Sequence, residues 1–277
     1  MRLARHGTAG AERPLISVAD GSWHDLRPLV ADLTPDTLPT VLAGVDLDAL
    51  PVVESPGRFG APLTGIGKIV CVGLNYRQHA AETGAAVPEE PIVFLKTPDT
   101  VVGPDDEVLI PRRSQKTDYE VELAVVIGRE ARYLPDEAAA AACVAGYAIS
   151  NDVSEREFQL ERGGQWDKGK NCETFNPLGP WLLTADEVPD PQALGLRLSV
   201  NGEPRQDGNT SDMIFGVHHL IWYLSHFMVL RPGDVINTGT PAGVTLGRPG
   251  LPYLRAGDVV DLEIDGLGRQ RQTFGQA

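Results

Sequence analysis

The sequence predicts a β-rich α+β fold in which strands are numerous and helices are few. Short runs rich in β-branched residues recur between clusters of Gly, Pro, Asn and Asp, a pattern typical of strands separated by turns. One amphipathic stretch, residues 217–228, carries apolar residues at the spacing of a helix, with Val217, Leu220, Ile221, Leu224, Phe227 and Met228 as its core-facing side. The strand–helix alternation of a doubly wound sheet is missing, and no GxGxxG or GxxxxGK[ST] motif indicates nucleotide binding.

Composition narrows the class of protein. The 277 residues, 42% of them hydrophobic and 22% charged, are typical of a large globular domain with a small appendage. A formal net charge of -14 argues against nucleic acid or an anionic membrane surface as a partner, because their phosphates would be repelled. Three widely spaced cysteines, no signal-like apolar N-terminus and no membrane-spanning stretch predict a cytoplasmic protein.

The N-terminal part is predicted to form short strands. They lie at 14–18 and 23–26, with a turn at Asp20–Gly21 between them. A connector rich in glycine and proline follows, marked by Gly57, Gly60, Pro62 and Gly65. The predicted organisation is a small N-terminal domain, residues 1–65, and a main domain, residues 66–277.

The main domain is predicted to alternate strands with a few helices. Strands are predicted at 68–73, 91–96, 107–111, 118–128 and 145–152. Helices are predicted at 74–84, 136–143, 154–161 and 217–228, and a glycine-rich loop at 163–174. A hairpin turn is predicted at Asn201–Gly202.

The predicted strand at 118–128 carries two glutamates on one face. Glu120 and Glu122 alternate with Val121, Leu123 and Val125, which are the predicted core-facing side. Paired carboxylates raise each other's pKa unless a cation lies between them, and Asp152 at the end of the next predicted strand would supply a third carboxylate. An oxygen-only ligand set favours Mg²⁺, Mn²⁺ or Ca²⁺ over zinc. The alternatives are a solvated strand face for the glutamates and a helix N-cap for Asp152.

His79 and Glu82 are candidates for acid–base chemistry. They are three residues apart, so they are neighbours if the segment is helical. A carboxylate beside an imidazole raises its basicity and fixes its tautomer, which suits a general base acting on water. The alternative is a surface ion pair.

Three further residues are weaker candidates. Lys170, in the glycine-rich stretch, would neutralise a substrate carboxylate or a developing enolate, although Lys168 competes for this role and loop lysines are commonly solvated. Thr240 would donate a hydrogen bond to a carboxylate, or else belongs to a tight turn. Cys172 is a weak candidate nucleophile because no histidine lies near it in sequence.

Seven short motifs occur in a distinctive order. They are Gly-Leu-Asn-Tyr-x-x-His-x-x-Glu at 73–82, Phe-Leu-Lys at 94–96, Glu-Val-Glu-Leu at 120–123, Asn-Asp-Val-Ser-x-Arg at 151–156, Gly-Lys-x-x-x-Thr-Phe at 169–175, Met-Ile-Phe at 213–215 and Gly-Asp-Val-Ile-x-Thr-Gly-Thr-Pro-x-Gly-Val at 233–244. Together they resemble the fumarylacetoacetate hydrolase superfamily over about residues 66–265.

The resemblance implies a mixed β-roll or sandwich-like fold, a homodimer, and Mg²⁺ or Mn²⁺, with Ca²⁺ as a substitute. The implied metal ligands are Glu120, Glu122 and Asp152. It also implies a His79–Glu82 dyad on a lid over the substrate, with Lys170 as an electrostatic partner. The implied substrate-binding residues are Lys96, Arg156, Gln159 and Thr240.

Within the superfamily, the stretch 159–170 and the short N-terminal domain most resemble hydrolases of 2,4-diketo-3-deoxy-L-rhamnonate and L-fuconate. Asn171-Cys172-Glu173 and His218-His219 depart from the common pattern, so the substrate is less well defined than the metal site. The expected reaction is metal-dependent hydrolysis of a C–C bond in a 2,4-diketo acid, giving pyruvate and a hydroxy acid. The alternatives are an acylpyruvate hydrolase, an oxaloacetate-type decarboxylase or tautomerase, a catalytically silent metal- and ligand-binding protein and, ranked lowest, a ureidoglycolate lyase.

Overall fold

Strands dominate the computed structural model, which describes residues 1–18 and 21–277, and the predicted β-rich α+β class is confirmed. The strands are β1 Arg2–His6, β2 Arg13–Ser17, β3 Trp23–Asp25, β4 Val52–Val53, β5 Phe59–Gly60, β6 Ile69–Gly73, β7 Ile92–Lys96, β8 Val101–Val102, β9 Val108–Ile110, β10 Thr117–Asp118, β11 Val121–Ile127, β12 Val144–Asn151, β13 Ser154–Glu155, β14 Asn176–Thr184, β15 Gly195–Val200, β16 Glu203–Asn209, β17 Val235–Asn237, β18 Val259–Ile264 and β19 Gly268–Gln276.

Helices are short and lie between the strands. They are α1 Leu38–Leu42, α2 Arg77–Thr83, α3 Glu137–Ala141, α4 Asp167–Lys170 and α5 Val217–Leu224. Single 3₁₀ turns occur at Leu47–Ala49, Pro98–Thr100, Ala185–Glu187, Thr210–Asp212 and Thr245–Gly247, and a π-helical turn at Glu157–Glu161. In the described part of the chain, none of the helices has the length and apolar character needed to cross a membrane.

The larger sheet runs through both predicted domains. Its strand order is β4-β3-β2-β1-β14-β12-β11-β17-β6-β7, with β5 paired to β1 and β8 paired to β14. Neighbours are antiparallel except for the pairs β17–β6 and β14–β8. Because β1 pairs with β14, the strands before residue 65 extend the sheet of the main domain. The division at residue 65 itself stays a prediction.

A smaller sheet, in the order β16-β15-β18-β19-β9, packs against one face of the larger one and gives the fold its sandwich character. On β11, Val121, Leu123 and Val125 are fully buried in this inter-sheet core, as predicted. The alternate residues Ala124 and Val126 lie in a second core that includes residues from the N-terminal part of the chain. Strand β11 is therefore buried on both faces, and any polar side chain on it is buried too.

Two predictions outside the site have clear outcomes. The hairpin turn is confirmed, with φ of 53° at Asn201 and 80° at Gly202, as a type I′ turn requires. Helix α5 ends at Leu224, four residues earlier than predicted, because the amides of His226 and Phe227 donate to carbonyls three residues back. The prediction that Phe227 packs in the core is therefore wrong, since 67% of its surface is exposed.

The turn predicted at Asp20–Gly21 involves Asp20, which lies outside the described residues.

The acidic stretch is not one strand, as predicted, but two. Asp118 belongs to β10, and Tyr119 and Glu120 interrupt the pairing before β11 begins. The interruption has a local cause: the Asp118 carboxylate accepts the N–H of Tyr119, and the N–H of Glu120 donates to the side chain of Asn151 at 3.1 Å. The N–H groups of Tyr119 and Glu120 thus donate to side chains instead of to the backbone of a neighbouring strand.

The segment after Asp152 also differs from the prediction. Residues 154–161 form strand β13 and the π-helical turn instead of one helix, because β13 pairs with β10. The predicted loop at 163–174 contains helix α4. Gly169 lets this helix lie against the preceding segment, since a Cβ there would be 2.3 Å from the carbonyl oxygen of Glu155. Lys170 is consequently held on a helix.

Candidate metal centre and active site

Three buried carboxylates meet at the end of two adjacent antiparallel strands. Glu120 precedes β11, Glu122 lies on it, and Asp152 follows β12. Strands β11 and β12 pair with Val121 opposite Asn151, and this register brings the three side chains together. One oxygen from each lies within 4.8 Å of the others, and none of the three residues is more than 5% exposed.

Cations contact two of the three carboxylates. The Lys170 ammonium donates to Glu120 Oε2 and to Asp152 Oδ2, each at 2.7 Å. The Arg156 guanidinium donates to Glu120 Oε1 at 2.7 Å. Burial raises the pKa of Glu120, but Lys170 and Arg156 outweigh it, so that this pKa lies well below its ordinary value.

Glu122 differs from its two neighbours. Its hydrogen-bond donor among the described residues is the backbone N–H of Gly239, at 2.8 Å from Oε2. Burial, followed by the charges of Asp152 and Glu120, raises its pKa well above the ordinary value. A divalent cation would relieve this repulsion, and an all-oxygen set suits Mg²⁺, Mn²⁺ or Ca²⁺. The residues present therefore fit a hard divalent cation.

Lys96 lies beneath the triad and is not among the residues that line the cavity above it. The residue is 1% exposed, and its ammonium donates to the Asp152 carboxylate and to the backbone oxygens of Val153 and Phe175. A direct substrate contact for Lys96 stays a prediction. Its geometry favours an electrostatic role, because it fixes and neutralises Asp152.

Sequence reasoning missed Asp118. This fully buried carboxylate accepts a hydrogen bond from Arg156 Nε at 2.9 Å, and it also accepts the backbone N–H groups of Thr245 and Leu246, both at 3.0 Å. It therefore holds Arg156 in place beside Glu120. The signal was present, because Asp118 stands two residues before Glu120, at the same spacing that separates the two glutamates.

Helix α2 holds His79 over the cavity. The helix ends at Gly84, as predicted, where φ is 68°. Glu82 Oε2 is 3.6 Å from His79 Nδ1, a distance longer than a hydrogen bond. The same carboxylate accepts the N–H of Gly243 at 2.8 Å and Arg248 Nε at 3.1 Å. Glu82 thus fastens α2 to the segment 243–248.

Two observations describe the environment of Glu82. Burial raises its pKa, but the nearby His79 and the hydrogen bonds from Gly243 and Arg248 outweigh burial and lower the pKa below the ordinary value. Gly247 provides the space for this carboxylate, since a Cβ at that position would lie 2.6 Å from Glu82 Cγ. The Glu82 carboxylate is therefore ionised at neutral pH, and it lies beside the imidazole of His79.

A cavity of about 200 Å³ opens above the triad. Its polar lining contains seven of the ten predicted site residues: His79, Glu120, Glu122, Arg156, Gln159, Lys170 and Thr240. The Thr240 hydroxyl donates to the Val121 carbonyl at 3.0 Å and accepts from Gln206 at 2.7 Å, so its proton is already committed to the protein. The remaining lining is largely apolar and was not predicted, although two of its residues, Leu74 and Phe94, lie within the quoted motifs.

Cys172 is a poor nucleophile in this structure. Burial raises the pKa of its thiol to about 11, so the reactive thiolate is scarce at neutral pH. It also does not line the cavity. The structure agrees with the sequence in giving this cysteine no catalytic role.

We expect Arg248→Ala to lower kcat/KM by less than about 10-fold, because exposed ion pairs contribute only about 0–1 kcal/mol. The Arg248 side chain is 45% exposed. When this side chain is removed, the Glu82 carboxylate still accepts the hydrogen bond from the Gly243 N–H. Steady-state kinetics of Arg248→Ala and Glu82→Ala measures the difference, with the larger loss expected for Glu82→Ala. Arg269→Ala, which removes another exposed ion pair, to Glu263, is the control. Equal losses in Arg248→Ala and Glu82→Ala would contradict this account of the carboxylate.

A buried carboxylate triad under a small cavity, with an imidazole and a lysine facing the same space, has the features of a metal-dependent active site. Residues 68–275 match the family described as fumarylacetoacetate (FAA) hydrolase C-terminal. The match covers more than half of the chain, and the chain belongs to this family of enzymes.

Relatives of known sequence or structure are similar over nearly their whole length. A protein of Burkholderia multivorans named "Putative hydrolase" is 53% identical over 277 residues, which is 98% of each chain. The solved fumarylacetoacetate hydrolase of Exiguobacterium antarcticum is 36% identical, with a TM-score of 0.88 and 100% of both chains covered. The maleylpyruvate hydrolase of Sphingobium sp. SYK-6, solved with manganese(II) and pyruvate, is 29% identical, with a TM-score of 0.80 and 100% of both chains covered.

Proposed function

We propose that this protein is a divalent-metal-dependent hydrolase that cleaves the C3–C4 bond of a 2,4-diketo acid. The reaction takes one water and releases pyruvate and the carboxylic acid derived from the 4-acyl group. The observation that carries the proposal is the convergence of the carboxylate triad, His79 and Lys170 on one cavity. The likeness to a maleylpyruvate hydrolase solved with manganese(II) and pyruvate supports it.

The triad supplies the metal ligands in this proposal. A divalent cation at Glu120, Glu122 and Asp152 provides Lewis-acid polarisation of the substrate oxygens. Lys170 holds the carboxylates of Glu120 and Asp152 in place, and Lys96 also holds that of Asp152. Mg²⁺ or Mn²⁺ as the metal, Ca²⁺ as a substitute, a homodimer and a cytoplasmic location stay predictions.

His79 is the proposed general base. It takes a proton from a water molecule, whose oxygen adds to the C4 carbonyl. The ionised Glu82 orients the imidazole and stabilises the imidazolium that forms. Their 3.6 Å separation is compatible with this role, since catalytic hydrogen bonds are often long before the substrate binds.

Lys170 is the proposed electrostatic stabiliser of the leaving group. When the C4 adduct collapses, the C3–C4 bond breaks and its electron pair forms the enolate of pyruvate. The Lys170 ammonium, which lines the cavity, favours this negative charge. The imidazolium of His79 then returns its proton to C3, and the carboxylic acid product loses its own proton to solvent.

A panel of 2,4-diketo acids tests the proposal. We expect pyruvate to be released from at least one of them with Mg²⁺ or Mn²⁺ present, and no release after treatment with EDTA. Pyruvate and the second acid should form in equal amounts. Formation of CO₂ or of an isomer without the second acid would favour a decarboxylase or tautomerase. Binding without any turnover of the panel would overturn the hydrolase proposal.

A further inference from the structure

The cavity has a large apolar wall that the reaction itself does not use. Beyond the polar groups around the triad, the lining consists mainly of Leu74, Ala85, Phe94, Leu160, Trp166 and Leu246, which together form the tail wall. These side chains come from several separate segments of the chain, so the wall is a product of the fold and not of one sequence motif.

The aromatic part of the tail wall is held firmly. Trp166 packs edge to face on Phe94, with ring centroids 5.7 Å apart. Gly73 provides the space on the other side, because a Cβ there would lie 2.4 Å from Trp166 Cζ3. A larger residue at position 73 would therefore displace the indole from the cavity.

Helix α4, which follows Trp166, is attached to the edge of strand β7. Asp167 accepts the Leu95 N–H at 3.1 Å. Asn171 donates to the Leu95 carbonyl at 2.9 Å and accepts the Thr97 N–H at 2.6 Å. Asn171 is one of the residues that depart from the common motif, and in this chain it helps to fix the tail wall beside Lys170.

The cations that line the described cavity are already engaged. Arg156 pairs with Asp118 and Glu120, and Lys170 pairs with Glu120 and Asp152. A second carboxylate on the substrate, beyond the one at the diketo end, would meet no lysine or arginine on the tail wall, because the two cations of the lining, Arg156 and Lys170, lie against the triad. Burying an unpaired charge is costly, so a dicarboxylic substrate is disfavoured.

Hydroxyl groups on the substrate would also find few partners. The Thr83 hydroxyl donates to the backbone of its own helix, at 3.0 Å from the His79 oxygen. The Thr240 hydroxyl is committed to Val121, and Gln159 Oε1 accepts from Arg156 at 3.0 Å, so that among these three side chains the Gln159 amide N–H group is the one still able to donate. A hydroxyl transferred from water to the tail wall would leave hydrogen bonds unmade.

We infer that the site selects 2,4-diketo acids whose 4-acyl group carries a short, uncharged, apolar tail, in preference to sugar-acid chains or dicarboxylic acids. The inference rests on the proposed hydrolase function and adds the substrate class. The cavity of about 200 Å³ favours a tail of a few carbon atoms. The sugar-acid assignment suggested by the sequence is the main competitor.

Three matched substrates separate these possibilities: 2,4-diketo acids with an ethyl, a 1-hydroxyethyl or a 2-carboxyethyl tail. We expect kcat/KM for the ethyl tail to exceed that for the 1-hydroxyethyl tail by about 10- to 100-fold, the range seen for an added hydroxyl in an apolar pocket. The 2-carboxyethyl tail should be slower still. Fastest release of pyruvate from either polar tail would overturn the inference while leaving the hydrolase proposal intact. If neither these three substrates nor any acid of the wider panel released pyruvate, the hydrolase proposal itself would be contradicted.

Leu160→Arg tests whether the tail wall faces the substrate. Leu160 is 40% exposed, so the substitution does not need to fit into the core. The new cation should raise the ratio of kcat/KM for the 2-carboxyethyl tail over the ethyl tail by about 10-fold, which corresponds to about 1.4 kcal/mol. Leu29→Arg, at a similarly exposed leucine (45%) in the N-terminal part of the chain and outside the cavity lining, is the control and should leave the ratio unchanged. Equal ratios in Leu160→Arg and the control would overturn the inference.

Discussion

Replacing His79 with alanine is expected to lower kcat for pyruvate release by about 10²–10⁴-fold, the usual contribution of a general base. The imidazole is the group on helix α2 that lines the cavity above the triad and has the chemistry of a general base. Its Nδ1 is buried without a hydrogen-bond partner among the described residues, so the substitution removes no hydrogen bond at that atom. Steady-state kinetics with a saturating diketo acid and Mn²⁺ measures the effect.

Two comparisons make this result specific to the proposed role. His219→Ala removes a histidine that pairs with Glu137 at 3.0 Å on the surface, and its kcat should stay within 2- or 3-fold of the parent. Thermal stabilisation of His79→Ala by Mn²⁺ should match that of the parent, because His79 is not a proposed ligand. If kcat of His79→Ala fell by less than 10-fold with metal binding intact, His79 would not be the base.

The sequence was sufficient to predict that the carboxylates of Glu120, Glu122 and Asp152 lie together, because the motifs that carry the family resemblance include all three and the relevant strand rules are local. Their role as metal ligands stays a prediction. Alternation along a strand puts Glu120 and Glu122 on one side, and Asp152 ends the strand that follows in the chain. Antiparallel neighbours then need only the right register to bring the three carboxylates together. That register places Val121 opposite Asn151 and is fixed by the buried alternation of both strands.

Other features depend on contacts between distant parts of the chain, and local rules do not reach them. Lys170 looked like a loop lysine because its segment is rich in glycine, yet Gly169 is needed for helix α4 to lie against Glu155. The contact of Lys96 with Asp152 joins residues 56 positions apart. The tail wall gathers residues from many segments, which is why the sequence predicted the convergence of the carboxylates better than the lining of the cavity.

The two strand glutamates should respond differently to substitution by glutamine. Both Glu120→Gln and Glu122→Gln are expected to weaken binding of Mg²⁺ and Mn²⁺ by more than about 100-fold, since removing even an outer partner of a metal ligand costs 10–100-fold. The rise in unfolding temperature that excess Mn²⁺ gives the parent should therefore be absent in both variants. Retention of that rise, or of full activity after chelation, would contradict the proposed metal role.

The metal-free proteins should differ in stability, because the surroundings of the two carboxylates differ. Each oxygen of Glu120 accepts from a cation, one from Arg156 and one from Lys170, so an amide would turn a donor toward one of them. We expect this variant to lose about 1–3 kcal/mol of unfolding free energy. Glu122 instead accepts one backbone N–H, from Gly239, which a glutamine oxygen can also accept, and it loses only a disfavoured negative charge. Denaturant unfolding in EDTA should thus show Glu122→Gln at least as stable as the parent. Equal destabilisation of both variants would mean that Glu122 has a cationic partner in solution and that the case for a divalent cation at this carboxylate is lost.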